Sequence, residues 1–423
     1  MITSFLFITI AAARKTILIS SDGFRWDYYG GTIPTPGLDR IRSAGLQVKN
    51  LINSYATVTF PNHYTLATGL YEESHGIIDN EMYDPVFNEL FNMSTTDPKW
   101  WSQAEPIWIT AEKNNIKTVC VNWVGCSIPH GTDEIRPTYW NLYNGSITYE
   151  ERIDRVVDKL FSGGADLGLL YFEDPDHTCH MFGPESNELR DAVERVDSAI
   201  LYLLSKVHLD TVNIIFTSDH GGTAVSKERI VVLEDYTDSP FMLAASGAVA
   251  HVWPNDISES ETILKHFSSI ESEKANCFLR EDLPRRLHYT KNRRIGPIVC
   301  MAELGWTILK SRYDGERFEL KGSHGYDAGE DDSSPMRPVF LAAGPDFVKT
   351  GLDRVLEPFE NIHVFPIVAT LIGLSPESWP QINGSSDPIQ ILLSSSQKGS
   401  FSLEPWLLGL TFTVGMCFVL LKE

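Results

Sequence analysis

The stretch KTILISSDG at residues 15–23 decides the fold. Its β-branched and apolar residues form a short run that stops at Asp22-Gly23, which is typical of a buried strand followed by a turn. The stretch therefore predicts a strand that delivers Asp22 at its carboxyl end.

Four further segments resemble this strand. They are residues 117–122, ending near Trp123; 166–172, followed by Glu173-Asp174-Pro175-Asp176; 211–217, followed by Asp219-His220-Gly221-Gly222; and 337–343. Helices are predicted between them: a capping box at Thr148–Glu151 precedes residues 152–161, and apolar residues from Leu189 to Val207 recur at helical spacing. This alternation predicts an α/β fold with a mostly parallel central sheet and helices on both faces.

The chain's size and composition agree with such a fold. It has 423 residues, of which 43% are hydrophobic, enough to bury a core. The formal net charge of −21 argues against a nucleic-acid-binding face. Residues 224–320 are less regular and are expected to form an insertion or cap, and the basic run at Lys291–Arg294 is interpreted as a solvated loop.

Both ends of the chain are typical of targeting segments. Residues 1–13 are interpreted as a signal peptide that ends in three alanines; the alternative is that residues 5–10 belong to a first strand. The globular domain is expected to cover residues 14–390, followed by a linker at 391–405. The uncharged stretch 406–421 predicts a membrane anchor, either a single-pass type I span or a GPI signal after Ser394–Ser396.

The anchor and the signal peptide together predict a monomeric ectodomain at the cell surface. Three N-x-S/T sequons, at Asn92, Asn144 and Asn383, fit a secretory route. The six cysteines are too few for a disulfide-built scaffold. A disulfide between Cys277 and Cys300 is predicted, and Cys417 is expected to be unpaired.

Polar residues that suit a metal follow the predicted strands. They are Asp22, Asp176, Asp219 and His220, with His180 four residues after Asp176, and His324 just before the fifth strand. Each alone is explained by a cap, a turn or a structural hydrogen bond. Together, these carboxylates and imidazoles match the donors that two closely spaced Zn²⁺ ions require. Two such ions can stabilise an in-line displacement at phosphorus.

Thr59 lies at the start of a predicted helix, because Pro61 suits the first helical turn and Gly69 the position after the last. Its hydroxyl is either a plain N-cap or, if coordination to a metal lowers its pKa, an attacking nucleophile.

Five motifs resemble the ectonucleotide pyrophosphatase/phosphodiesterase family of the alkaline phosphatase superfamily. They are SDGFRWDY (21–28), TFPNHYTLATGLYEESHGIIDNEMYDP (59–85), YFEDPDHTCHMFGPES (171–186), SDHGG (218–222) and GSHGYD (322–327). The match runs in order from about residue 15 to residue 375. It implies an alkaline-phosphatase-like fold and a catalytic domain without the extra domains of some relatives.

The resemblance also implies residue roles. Asp22, Thr59, Asp219 and His220 would hold one zinc, and Asp176, His180 and His324 the other. Thr59 would attack phosphorus and form a covalent phosphothreonine, while Asn80 would donate to a phosphate oxygen. A nucleotide base would stack between Phe60 and Trp140, with Tyr171 lining the same slot.

Two residues depart from the family pattern. Cys179 stands where relatives usually have glycine, and a thiolate there could change the metal coordination. Gly222 replaces a frequent methionine, which is expected to be a mild change. Sulfatases are disfavoured, because they would need Cys or Ser in place of Thr59.

Three functions remain open. The first is a zinc phosphodiesterase that releases nucleoside 5′-monophosphates from small-molecule nucleotides. The second is the same chemistry on choline-bearing lysophospholipids, which would need an anionic, aromatic choline cage. The third is a non-catalytic, membrane-tethered binding ectodomain.

Overall fold

The structure is a computed structural model that describes residues 14–394, except residues 330, 332 and 353. Its strands, in chain order, are β1 (Thr16–Ser21), β2 (Leu46–Val48), β3 (Leu51–Ile52), β4 (Met82–Asp84), β5 (Glu89–Phe91), β6 (Thr118–Val121), β7 (Tyr139–Trp140), β8 (Leu167–Phe172), β9 (Asn213–Thr217), β10 (Thr223–Ala224), β11 (Ile230–Val232), β12 (Phe241–Leu243), β13 (Val249–Pro254), β14 (Ala275–Leu279), β15 (Ile298–Ala302), β16 (Thr307–Leu309), β17 (Gly322–Ser323), β18 (Phe340–Ala343) and β19 (Phe359–Glu360). Its α-helices are α1 (Pro36–Ala44), α2 (Thr59–Thr68), α3 (Glu72–His75), α4 (Ile107–Lys113), α5 (Tyr149–Phe161), α6 (Asp176–Phe182), α7 (Asn187–Lys206), α8 (Ser260–Phe267), α9 (Arg312–Glu316), α10 (Val364–Leu371) and α11 (Asp387–Leu392).

A seven-stranded central sheet confirms the predicted α/β fold. Its strand order is β2-β18-β9-β1-β8-β6-β7. The pairs of β1 with β8 and β9, of β6 with β8, and of β6 with β7 are parallel. β18 runs antiparallel to both of its neighbours, β9 and β2. All five predicted strands are present in this sheet.

Helices cover both faces of the sheet, because its strands are apolar on both sides. Along β1, Ile17 and Ile19 pack into a core with α1, α5 and α7. Leu18, which points to the opposite face, packs with residues of α2, α4 and α10. The predicted N-cap of α5 is present, since the Thr148 side chain accepts a hydrogen bond from the backbone N–H of Glu151.

Much of the segment expected as an insertion forms a second, smaller sheet. Strands β12, β13, β15 and β14 pair antiparallel in that order, and α8 packs against them through a separate apolar cluster that includes Ile263 and Phe267. The predicted disulfide between Cys277 and Cys300 is confirmed, and it links neighbouring strands. A second disulfide joins Cys120 and Cys126, which the sequence reasoning did not predict.

The basic run at Lys291–Arg294 corrects the prediction of a solvated loop. Arg294 is fully buried, and both Arg293 and Arg294 bond to the carboxylate of Asp84. Arg294 also donates to the backbone carbonyl of Trp100. These contacts bind the insertion to the main domain, and their partners are about two hundred residues away in sequence.

The chain ends require a further correction. No helix among the described residues is both long enough and apolar enough to cross a membrane, and this contradicts the predicted cell-surface location with a type I span or a GPI anchor. The signal peptide at residues 1–13 and the anchor at 406–421 lie outside the described residues. Helix α11 reaches Leu392, past the predicted start of the linker at residue 391, and residues 395–405 also lie outside the described part.

Candidate active site

The carboxyl ends of three neighbouring parallel strands bring the predicted ligands together. Asp22 follows β1, Asp219 and His220 follow β9, and Asp176 begins α6 just after β8. Because β8, β1 and β9 are adjacent and parallel, their carboxyl ends meet at one edge of the sheet. His180 lies one helical turn after Asp176, so both side chains reach the same space.

His324 reaches this edge by a different route. The short strand β17, just before His324, pairs antiparallel with β10, which directly follows the Asp219–Gly222 segment. This pairing stacks the ring of His324 on that of His220, with ring centres 3.6 Å apart. All six predicted side chains therefore converge.

Backbone carbonyls orient the three histidines. His180 Nδ1 lies 2.9 Å from the carbonyl oxygen of Gly322. His220 Nδ1 lies 2.8 Å from that of Gly221, and His324 Nδ1 lies 3.0 Å from that of Thr57. Since a carbonyl can only accept, Nδ1 carries the proton in each ring. In the neutral ring this leaves Nε2 with a free lone pair, as in metal-binding histidines.

One group of ligand atoms consists of Asp22, Asp219 and His220, all within 4.8 Å of one another. His220 Nε2 lies 3.3 Å from Asp22 Oδ1 and 3.2 Å from Asp219 Oδ2. Those two carboxylate oxygens are buried and accept no hydrogen bond from the described residues. Buried charged oxygens without a donor are costly, so they fit the coordination of a cation.

The second group contains Asp176 and His324, and His220 also comes within reach of it. His180 Nε2 lies 3.1 Å from Asp176 Oδ2, and His324 Nε2 lies 3.7 Å from Asp176 Oδ1. Asp176 thus lies between the two histidines that were predicted to share an ion with it. His220 is near both groups, although the resemblance assigns it to the first.

The charges of the site also favour a cation. Burial and the nearby carboxylates of Asp219 and Asp176 raise the pKa of Asp22 well above its usual range. Burial lowers the pKa of His180, but the Asp176 carboxylate outweighs it and raises that pKa to about 9. Burial and the neighbouring His220 lower the pKa of His324 to about 3, which keeps its ring neutral. Repelling carboxylates beside a neutral imidazole fit a divalent cation, whose charge would relieve the repulsion.

Thr59 is the first residue of α2, and Val58 is its N-cap. The Thr59 hydroxyl is therefore not used as a cap. Instead, Oγ1 lies 3.3 Å from His220 Nε2. Thr59 is 8% exposed, which leaves the hydroxyl at the boundary between the buried ligands and the surface.

A hydrogen bond to the backbone of Phe60, the residue after Thr59, holds Asn80 near the predicted nucleophile. Asn80 Oδ1 accepts a hydrogen bond of 2.8 Å from the N–H of Phe60. With the oxygen engaged in this way, the amide NH₂ is the part of Asn80 that can donate to an anion.

Two residues support the ligands from behind. The Tyr171 hydroxyl donates to Asp22 Oδ2 at 2.5 Å, and Tyr171 is only 7% exposed, so it contacts a ligand where a slot-lining residue was predicted. His63, which the sequence reasoning missed, lies one turn after Thr59. Its Nδ1 is 2.8 Å from the Thr59 carbonyl and 3.3 Å from Asp219 Oδ2. The spacing of four residues on α2 was the available signal for His63.

The aromatic slot differs from the prediction at one position. Phe60 is half-buried against Phe91 and Trp101. Trp140 belongs to the edge strand β7, pairs with Cys120, and places its ring against Arg136. Tyr143 lies three residues later, beyond the carboxyl end of β7. It is 63% exposed, and the charges that act on its hydroxyl include those of Glu173 and Asp22.

Cys179 and Gly222, the two departures from the family pattern, contact each other. Cys179 is 4% exposed and is the one free cysteine among those described. A Cβ placed on Gly222 would lie 3.1 Å from its Sγ. Burial and the nearby Asp176 raise the pKa of Cys179 to about 12, so the thiol stays protonated. The thiol fills the space beside Gly222.

The fold and the site together define a metal-dependent hydrolase of phosphate esters. The sequence model of the family described as type I phosphodiesterase / nucleotide pyrophosphatase matches residues 16–327. The chain belongs to this family.

The comparisons with individual proteins agree. The chain is 36% identical over 394 residues to human ectonucleotide pyrophosphatase/phosphodiesterase family member 5, covering 90% of this chain and 79% of that protein. It is 34% identical over 376 residues to the bis(5′-adenosyl)-triphosphatase of Xenopus laevis, covering 87% of this chain and 79% of that protein. The solved structure of human family member 5 superposes with a TM-score of 0.83 at 35% identity, covering 90% of this chain and 100% of that chain.

A further solved structure is that of an inactive threonine-to-alanine variant of murine family member 5 in complex with AMP. It matches with a TM-score of 0.82 at 34% identity, and it covers 90% of this chain and 100% of that chain.

Proposed function

We propose that the protein is a zinc-dependent phosphodiesterase and pyrophosphatase that cleaves nucleotides and releases nucleoside 5′-monophosphates. The observation that carries this proposal is the position of the Thr59 hydroxyl, 3.3 Å from His220 Nε2 beside the buried carboxylates of Asp22 and Asp219. The inactive threonine-to-alanine relative that binds AMP supports both the nucleophile and the substrate class.

The residues proposed to hold two Zn²⁺ ions form two sets: Asp22, Thr59, Asp219 and His220 for one ion, and Asp176, His180 and His324 for the other. Oxygen and imidazole donors suit zinc. When bound, the ions supply positive charge that neutralises the carboxylates and lowers the pKa of the Thr59 hydroxyl.

The proposed reaction has two displacements at phosphorus. Thr59 Oγ forms a bond to phosphorus while the bond to the leaving oxygen breaks; the leaving group departs with the electron pair, and the hydroxyl proton passes to solvent. Water then attacks the covalent nucleotidyl-threonine, the bond from phosphorus to Oγ breaks, and Thr59 regains a proton. The amide NH₂ of Asn80 donates to a non-bridging oxygen, where charge accumulates in the transition state.

Two aromatic residues are proposed to bind the nucleotide base. Phe60 follows the nucleophile directly, and its backbone N–H is held by Asn80. Tyr143 replaces Trp140 as the second aromatic residue, because it lies beyond the strand end and is exposed. Stacking of a base on such rings tolerates different bases.

The test compares wild type with Thr59→Ala on p-nitrophenyl-TMP and p-nitrophenylphosphorylcholine, with the fold checked by circular dichroism. We expect hydrolysis of the nucleotide ester, a loss of more than about 1,000-fold in the variant, and dependence on Zn²⁺ after EDTA treatment. Mass spectrometry after an acid quench should find a nucleotidyl adduct in wild type alone. Undiminished turnover in Thr59→Ala would remove Thr59 from the mechanism, and a preference for the choline ester would favour the lysophospholipid alternative.

A further inference from the structure

A cleft of about 370 Å³ opens beside the metal-binding residues. His180 and His324 line it at the metal end, and Asn80 lies on one wall. The second sheet and the segment around Phe318 and Leu320 contribute to its lining. The cleft therefore connects the reacting centre with the insertion.

The charges of this cleft are unusual for an enzyme with an anionic substrate. Of the described residues that line it, none is lysine or arginine, and the carboxylates apart from the metal-binding residues are Asp79 and Glu81. Asp79 is 7% exposed, and its Oδ1 accepts hydrogen bonds from the N–H groups of Asn80 and Glu81. Glu81 is exposed. Apolar side chains also line the cleft, among them Phe318 and Leu320, of which Leu320 is 40% exposed.

The position of the cleft fits the departing part of the substrate. The Thr59 hydroxyl contacts His220, the His324 ring stacks on His220, and His324 lines the cleft. In an in-line displacement, the leaving oxygen lies on the side of phosphorus opposite the nucleophile. Thr59, His220 and His324 thus form a chain of contacts whose last member lines the cleft.

We propose that this cleft binds the leaving group, an inference that rests on the proposed function. The cleft selects a neutral or cationic leaving group with an apolar part over an anionic one such as pyrophosphate. Glu81, which is exposed, attracts a positive charge and repels a negative one, and no lysine or arginine among the described lining residues offsets this repulsion. The apolar side chains of the cleft remove a carbon-rich group from water.

The experiment uses three adenosine 5′-phosphate aryl diesters, in which the phenol carries a 3-trimethylammonio, a 3-carboxamido or a 3-carboxylate group. In each case Thr59 Oγ bonds to phosphorus, the bond from phosphorus to the phenol oxygen breaks, and the phenolate leaves with the electron pair. The quantity of interest is the ratio of kcat/KM for the cationic ester to that for the anionic ester. Comparing this ratio between wild type and variants cancels the intrinsic reactivity of the three phenols.

We expect wild type to prefer the cationic ester, and Glu81→Lys to lower the ratio about tenfold or more, since two units of charge change beside the leaving group. Glu81→Gln should give a smaller decrease in the same direction. Glu357→Lys is the matched control, because Glu357 is an exposed acidic residue on a different groove, and its ratio should equal that of wild type.

A ratio unchanged by Glu81→Lys, or a wild-type preference for the anionic ester, would overturn the inference. Failure to hydrolyse all three esters would overturn the proposed function instead. Calorimetric binding of the three free phenols still tests the cleft in that case: tighter binding of the cationic phenol, weakened by Glu81→Lys, supports the inference, and equal binding of the three refutes it.

Discussion

Substituting Asp22 by asparagine should have opposite effects on stability with and without metal. Asparagine keeps the shape of the side chain, and its carbonyl can still accept the hydrogen bond from Tyr171. It removes one of the carboxylates that crowd the buried site. The metal-free protein should therefore become more stable, and the protein should lose much of the stabilisation that metal gives.

The structure sets the size of both effects. The ligand oxygens of Asp22 and Asp219 lie within 4.8 Å of each other, which corresponds to a repulsion of about 3 kcal/mol at an effective dielectric constant of about 20. Burial already favours the protonated form of Asp22, so the expected gain without metal is about 1 to 3 kcal/mol. If loss of this ligand weakens zinc binding about 100-fold, saturating zinc stabilises the variant by about 2.7 kcal/mol less than wild type.

The assay is urea unfolding of wild type and Asp22→Asn, each in EDTA and in excess zinc. Glu357→Gln, an exposed substitution outside the site, serves as the control and should respond to zinc as wild type does. The reasoning is refuted if Asp22→Asn is less stable than wild type in EDTA, or if zinc stabilises both proteins equally.

Three further sets of substitutions test other contacts. His63→Leu removes the donor to the Thr59 carbonyl and the ring beside Asp219, so kcat/KM and zinc affinity should fall together by about 10- to 100-fold. His63→Asn, which can still donate to the carbonyl, should recover part of the loss, and equal losses would refute a positioning role. Cys179→Gly and Gly222→Met should each destabilise the protein in chemical unfolding. The double variant should be more stable, by about 1 kcal/mol or more, than the sum of the two single effects predicts, because Cys179 Sγ lies 3.1 Å from a Cβ added at residue 222. Burial raises the pKa of Glu72 to about 8 in the folded protein, so the contribution of Glu72 to stability falls as pH rises from about 4.5 to 8. Across that window, the free energy of unfolding of Glu72→Gln should rise relative to that of wild type by about 1.4 kcal/mol per pH unit. A difference that does not change with pH would contradict this.

The convergence of the candidate ligands on the first strands could be predicted because local sequence positions them. An apolar run followed by Asp-Gly or Asp-His-Gly-Gly indicates a strand end, and the observed bounds of β1 and β9 differ from the predicted ones by one or two residues. Likewise, Asp176 and His180 share a helical turn whatever the rest of the chain does. These predictions depend on short-range geometry alone.

The edge of the sheet at which His324 lies could not be predicted from the order of the elements alone. His324 precedes the fifth predicted strand, and residues before a parallel strand would lie at the opposite edge of the sheet from Asp22. The structure resolves this, because β18 is antiparallel to β9 and the segment before it starts at the edge where the ligands gather. An apolar strand looks the same in either direction, so its sequence could not reveal the reversal.

Long-range partners account for the other differences. The run at Lys291–Arg294 has the composition of a surface loop, and only the distant carboxylate of Asp84 makes its burial favourable. Trp140 and Tyr143 are both aromatic residues of one short segment, and the end of β7 between them determines which one lies beyond the strand.

The difference between local and long-range contacts also separates the residues of the proposed reaction from those that select the leaving group. Asp22, Asp219 and His220 stand directly after strands of a rigid sheet, so local sequence was sufficient to assign them together. The cleft is formed where the insertion meets the segment around Asp79 and Glu81, and its charge depends on which distant residues meet there. A second protein with identical ligands but a lysine in this cleft would keep the reaction and accept a different leaving group. We therefore expect the leaving-group preference of this protein to depend on the residues of the cleft more than on the candidate metal ligands.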